Sequence, residues 1–106
     1  MAATITWTTG PYRYETAGKG FIEEVEWRLK GVDGEVSDES IYGRLALARP
    51  ADADMVERST FATQANLIAA VKAQLGAEAV AIEEGRCQAA IDALKNPTHA
   101  TATAES

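Results

Sequence analysis

Residues 20–50 read GFIEEVEWRLKGVDGEVSDESIYGRLALARP, and the fold turns on how this stretch is read. Over 21–30 the odd positions are Phe21, Glu23, Val25, Trp27 and Leu29, and the even positions are Ile22, Glu24, Glu26, Arg28 and Lys30. Successive side chains of a strand point to opposite faces, so this order predicts a strand with one apolar and one charged face. Gly31, Val32, Asp33 and Gly34 have the composition of a turn, and a second run at 41–47 places Ile41, Gly43, Leu45 and Leu47 on one face. Together the two runs predict an antiparallel hairpin. Glu23 is the one charge on the apolar face. It is expected at the rim of the core; pairing with a base such as Arg44, or a place in an interface, are the alternatives.

Upstream, residues 3–9 (ATITWTT) alternate Ile5 and Trp7 with threonines, which predicts a first strand with a threonine-rich outer face. Gly10 and Pro11 punctuate it, Tyr12, Arg13 and Tyr14 resume it, and residues 17–20 (AGKG) turn the chain into the hairpin. Trp7 and Trp27 are expected side by side on the core face of adjacent strands. Downstream, residues 50–54 (PADAD) are a connection or a short helical turn. Their aspartates resemble the start of a calcium loop but lack its glycine and its distal glutamate, so no metal is expected.

From Phe61 the period lengthens. Thr63 can cap a helix whose stripe is Leu67, Ile68, Val71 and Leu75, and Gly76 can end it. A second helix is predicted over 77–94, with Val80, Cys87, Ile91 and Leu94 on one side. Gly85 weakens it by about 1 kcal/mol relative to alanine. Asn96 followed by Pro97 ends it. The fold class expected is α+β: an antiparallel sheet of three or four strands followed by two C-terminal helices packed on one face. Residues 1–97 form a single domain in this reading, and residues 98–106, THATATAES, are a flexible tail. The expected core is Ile5, Trp7, Phe21, Val25, Trp27, Leu29, Ile41, Leu45, Leu47, Leu67, Val71, Leu75, Val80, Cys87, Ile91 and Leu94.

Size and charge narrow the function. A chain of 106 residues with 46% hydrophobic and 25% charged residues can bury one modest core. It has no apolar run of about 18 residues, as a membrane span needs, and no secretory signal pattern, so a soluble chain made in the cytoplasm is expected, without membrane partners. A net charge of −6 disfavours direct contact with nucleic acid. Within 15–39 eight acids (Glu15, Glu23, Glu24, Glu26, Asp33, Glu35, Asp38, Glu39) face three bases (Lys19, Arg28, Lys30). This reads either as a solvated outer sheet face that discourages edge pairing or as an acidic patch for a basic partner. Glu24, Glu26, Asp38 and Glu39 are the candidate partner contacts.

Catalytic chemistry is not apparent. Cys87 is the single cysteine, set at a core spacing, and His99, the single histidine, lies in the tail. There is no phosphate-cradling loop, and Glu24 and Glu26 share a solvent face that would not tune a catalytic carboxyl. The expectation is no catalytic residue, no cofactor, no metal and no enzyme.

Ile5-Thr6-Trp7, Val25-Glu26-Trp27-Arg28-Leu29-Lys30-Gly31 with Asp33-Gly34, then Ile41-Tyr42-Gly43 and the two helices resemble a family of small tailed-bacteriophage proteins whose function is uncharacterised. The likeness covers roughly residues 4–97. It implies a phage origin. Non-enzymatic phage proteins of this size are typically capsid decoration or tail and connector accessory proteins, located in the virion, acting through contacts with a phage structural protein or with further copies of themselves. The alternative is an acidic intracellular inhibitor that occupies a basic surface of a host protein.

Overall fold

A computed structural model describes residues 2–96 and residue 104. The expected tail falls almost wholly outside the described residues. Four strands come first: β1 (Thr4–Tyr14), β2 (Ile22–Asp33), β3 (Val36–Asp38) and β4 (Tyr42–Ala46). A single 3-10 turn at Asp52–Asp54 leads to three helices, α1 (Arg58–Phe61), α2 (Gln64–Leu75) and α3 (Ala77–Lys95). The chain is therefore α+β, an antiparallel four-stranded sheet followed by C-terminal helices.

β2 is the central strand. β1 lies along one edge, while β3 and β4 follow each other along the opposite edge, both antiparallel to β2. The break between β3 and β4 has a local cause. Asp38 Oδ2 accepts hydrogen bonds from the Ser40 backbone N–H (3.0 Å) and hydroxyl (2.7 Å), a side-chain turn that competes with ladder pairing. Pairing resumes through the Ile41 carbonyl, which accepts from the Leu29 N–H at 2.9 Å.

The expected hairpin turn sits two residues late. Gly31 and Val32 stay in β2, and the chain reverses at Gly34 and Glu35, with Gly34 in the left-handed region at φ 64°. Gly31 is a glycine for another reason: a Cβ there would lie 2.8 Å from Cys87 Sγ and 3.1 Å from Ile91 Cγ1. The glycine lets α3 settle onto the strand.

Two bulges explain the remaining differences along β1 and β2. Between Thr9↔Trp27 and Tyr12↔Val25, Gly10 and Pro11 together oppose Glu26. Proline cannot donate to the ladder, and a bulge on an edge strand is where it fits, so β1 resumes after it and continues to Tyr14, as expected. Between Arg13↔Glu24 and Tyr14↔Ile22, Glu23 is the extra residue. It shifts the alternation by one, so Ile22 is buried at 3% exposure and Phe21, expected in the core, is only half-buried.

The helices cover the inner face. Trp7, Val25, Trp27 and Leu29 from the sheet pack with Leu67 and Val71 of α2 and Cys87 of α3. Trp7 and Trp27 lie side by side as expected, with ring centroids 5.3 Å apart and planes tilted by 41°. Trp7 also ties the sheet to both helices: its Nε1 donates to Glu84 Oε2 at 2.9 Å, and Lys72 Nζ stands 5.4 Å from the ring centroid. Thr63 caps α2 by accepting from the Asn66 N–H, and Gly76, at φ 88°, joins α2 to α3 across a 107° bend. α3 runs unbroken through the exposed Gly85. Leu94 departs from the expected core and is 56% exposed, because the last turn of α3 reaches the end of β2, where Lys95 meets Asp33. Met55 is a core member that no periodicity marks, as it lies in the connection. No single helix among the described residues is long and apolar enough to cross a membrane.

Three helix glutamines extend the sheet's hydrogen bonding. Gln64 pairs with both backbone groups of Thr9, accepting from its N–H and donating to its carbonyl, each at 3.1 Å. Gln88 Oε1 accepts from the Ala3 N–H and Gln74 Oε1 from the Ala48 N–H. These amides stand in for strand neighbours at backbone groups that the ladder leaves free.

At the far end, Lys95 Nζ donates to Asp33 Oδ2 at 2.8 Å and holds that carboxyl below its ordinary range, the hydrogen bond being the leading cause and burial opposing it. A carboxyl depressed on folding contributes stability above its unfolded-state value and loses it as pH falls through the folded-state value. Lys95→Met should therefore raise the NMR-titrated value of Asp33 and remove an acid-side component of the stability profile. An unmoved Asp33 titration would contradict the pair.

Candidate functional site

Two surfaces could carry a function: the sheet face that the helices leave open, and a cleft at the end of the sheet near Gly20.

Residues paired across an antiparallel ladder project to the same side. The register therefore assembles the open face row by row. Thr6 stands opposite Lys30, Thr8 opposite Arg28 and then Tyr42, Glu26 opposite Arg44, and Arg13 opposite Glu24. The acidic face expected from the local charge count is in fact mixed. Arg13 and Arg44 lie outside the counted window in sequence, yet the register places them beside Arg28 and Lys30, so four cations share the face with Glu24 and Glu26. Arg44 forks between both carboxylates, Nη1 to Glu24 Oε1 at 3.3 Å and Nη2 to Glu26 Oε2 at 3.5 Å. Such exposed pairs are worth about 0–1 kcal/mol, so the carboxylates can exchange partners easily. At the start of the edge strand β4 Tyr42 is 63% exposed, with the Arg28 guanidinium of the central strand 5.5 Å from its ring centroid.

The four sequence-derived contact candidates do not form one patch. Glu24 and Glu26 lie together on the open face. Asp38 pairs with Gly31, on the helix-covered side, and spends one oxygen on Ser40. Glu39 is exposed in the link between β3 and β4. Glu23 is half-buried at its bulge and pairs with Arg13 at 3.5 Å, not with Arg44. Tyr42, Arg13 and Arg44 were not singled out as contacts from the sequence. The signal that finds them is the register, which brings distant positions into one row.

The cleft has a volume of about 360 Å³. Phe21 and Leu47 wall it from the sheet side, Met55 and Val56 from the connection, Phe61 from α1 and Ala70 and Ala73 from α2. The connection is pinned over it by one side-chain and one backbone bond: Lys19 Nζ donates to the Met55 carbonyl at 3.0 Å, and the Arg58 N–H donates to the Lys19 carbonyl at 2.9 Å. Gly20, at φ 74°, has no room for a Cβ, which would meet Arg58 Cβ at 3.2 Å. Arg58 itself stacks on Tyr14, 4.2 Å from the ring centroid, and donates to the Tyr12 hydroxyl at 3.2 Å. That hydrogen bond strengthens its hold on the proton, and burial opposes it.

Cys87 behaves as a core residue. It is fully buried, and burial first, then the charges of Asp38 and Glu84, push its thiol up, away from the thiolate that nucleophilic chemistry needs. Among the described residues no group of His, Cys, Asp or Glu is placed to hold a metal ion.

No curated protein matches the chain, and no solved structure matches it. A family model does, over residues 2–104, nearly the whole length. The chain belongs to the family described as a domain of unknown function, DUF7936.

Proposed function

We propose that this chain is a non-enzymatic accessory or structural protein of a tailed-phage particle, a capsid decoration or a tail or connector component, that works through protein–protein contacts made by the open face of its sheet. The observation that carries the reading is the Arg28–Tyr42 pair, which joins the central strand to the edge strand β4 on that face, with the tyrosine exposed. Tyrosine and arginine are the side chains most enriched where interfaces draw their energy, and a planar ring already stacked by a guanidinium loses little freedom on docking. The surrounding charges have both signs, which suits a protein partner of complementary pattern or a second copy. Glu24 and Glu26, interleaved with the cations, oppose a polyphosphate chain. An acidic inhibitor of a basic host surface is less well served, because it asks for clustered free carboxylates and here Arg44 is shared between the two on this face.

Quantitative mass spectrometry of purified particles from the source phage tests the assignment. The chain is expected at a fixed copy number relative to the major capsid protein. Absence from washed particles together with abundance in infected cells would overturn the particle assignment in favour of the inhibitor.

A further inference from the structure

The cleft beside Gly20 is independent of the open face, and its chemistry points to a ligand. Its walls are apolar, Phe21, Leu47, Met55 and Phe61 among them, and its volume of about 360 Å³ falls in the range of small-molecule sites. One cation stands at its edge. Arg58 lines the cleft, and its Nε lies 3.6 Å from the point a Cβ on Gly20 would occupy, on the same wall. The guanidinium is held from behind by the Tyr14 ring and the Tyr12 hydroxyl, both neutral groups.

Among the described residues Arg58 has no carboxylate within ion-pair distance, although acidic residues outnumber basic ones by 16 to 10. The neighbouring cation Arg49 is already paired with Glu15, and Lys19 donates to the Met55 carbonyl. Asp54, the carboxylate that lines the cleft, makes no ion pair with Arg58. A guanidinium oriented by two aromatic residues, with one neutral hydrogen-bond partner and donors to spare, is suited to receive the two oxygens of a carboxylate. We propose that this cleft binds a small apolar monocarboxylate, its hydrocarbon part among Phe21, Met55 and Phe61 and its carboxylate on Arg58. A single available cation matches a single negative charge, so a carboxylate fits better than a phosphate dianion.

The test is calorimetric titration of the full chain with octanoate and, in parallel, with 1-octanol, which has the same hydrocarbon length and no charge. Octanoate should bind saturably, one to one and more tightly than octanol. Arg58→Gln should weaken octanoate about tenfold or more and leave octanol unchanged, since only the charged contact is removed. Ala73→Trp, at an exposed helix position on the cleft wall, should weaken both ligands without disturbing the core. Circular dichroism of each variant confirms that it is folded. Unsaturable octanoate binding to the unaltered chain overturns the proposal whatever the variants do. So does equal binding of octanol and octanoate.

Discussion

Trp27→Ala should lower the unfolding free energy by about 3–5 kcal/mol, the largest effect of any single truncation in this chain. Trp27 is 6% exposed in the middle of the central strand. It packs on three sides at once: against Trp7, towards the helices, and with its ring over Gly43 on β4, where a Cβ would sit 2.7 Å from Cζ2. The aromatic pair adds about 0.5–1.5 kcal/mol beyond the buried area, and the glycine beneath it leaves no side chain able to fill the space. Against a typical total of about 5–15 kcal/mol for a domain, such a loss removes a large share of stability. Urea unfolding monitored by circular dichroism measures it. Tyr42→Ala, one residue away from Gly43 but pointing to the open face, should stay within about 0.5 kcal/mol. A Trp27→Ala loss below about 1 kcal/mol would show that the ring does not fill the core as described.

Gly31→Ala should be the second large effect, about 1–3 kcal/mol, by overpacking. The added methyl would meet Cys87 Sγ at 2.8 Å and Ile91 Cγ1 at 3.1 Å. Both partners are fully buried, so neither side chain can swing away, and α3 as a whole must lift from β2. Cys87→Ala alone should cost about 1 kcal/mol for the small void it leaves, but in combination with Gly31→Ala the new methyl occupies the space the sulfur vacates. The double variant should therefore be more stable than the sum of the two changes implies, a coupling that denaturation of all four proteins reads directly. Strict additivity would mean that the helix does not rest on this glycine.

The sheet and the helices were legible because their patterns are long. Val25, Trp27 and Leu29 alternate without interruption, and Leu67, Val71, Cys87 and Ile91 hold helical spacing; all seven are buried. What went unread is what pairing alone determines. Glu23 stands out in sequence as a charge on the apolar face, but only the pairing shows that its partner strand supplies one residue fewer, and the resulting bulge exchanges the roles of Phe21 and Ile22. Gly31 looks like a turn residue because glycine in sequence does not say whether it bends the chain or makes room for a helix. Leu94 keeps the stripe's spacing but lies where the sheet ends.

The candidate sites divide in the same way. Counting charges along 15–39 gave an acidic surface, whereas the open face draws Arg13 from β1 and Arg44 from β4 across the central strand. Tyr42, a β-former in a strand-like run, carries no mark of exposure until β4 is placed. The cleft brings the start of β2 against the connection, α1 and α2, which lie far along the chain from it, and Met55 and Arg58 in it follow no period.

The most direct test of the proposal that the open face is the contact surface places a photocrosslinking amino acid at position 42 of the chain in infected cells. As a comparison the same group is placed at position 82, equally exposed but on α3, behind the sheet. A discrete crosslink is expected from position 42 to one particle protein, or to a second copy of the chain, and none from position 82. A crosslink from position 82 alone, with position 42 silent, would contradict the proposal and move the contact surface to the helices.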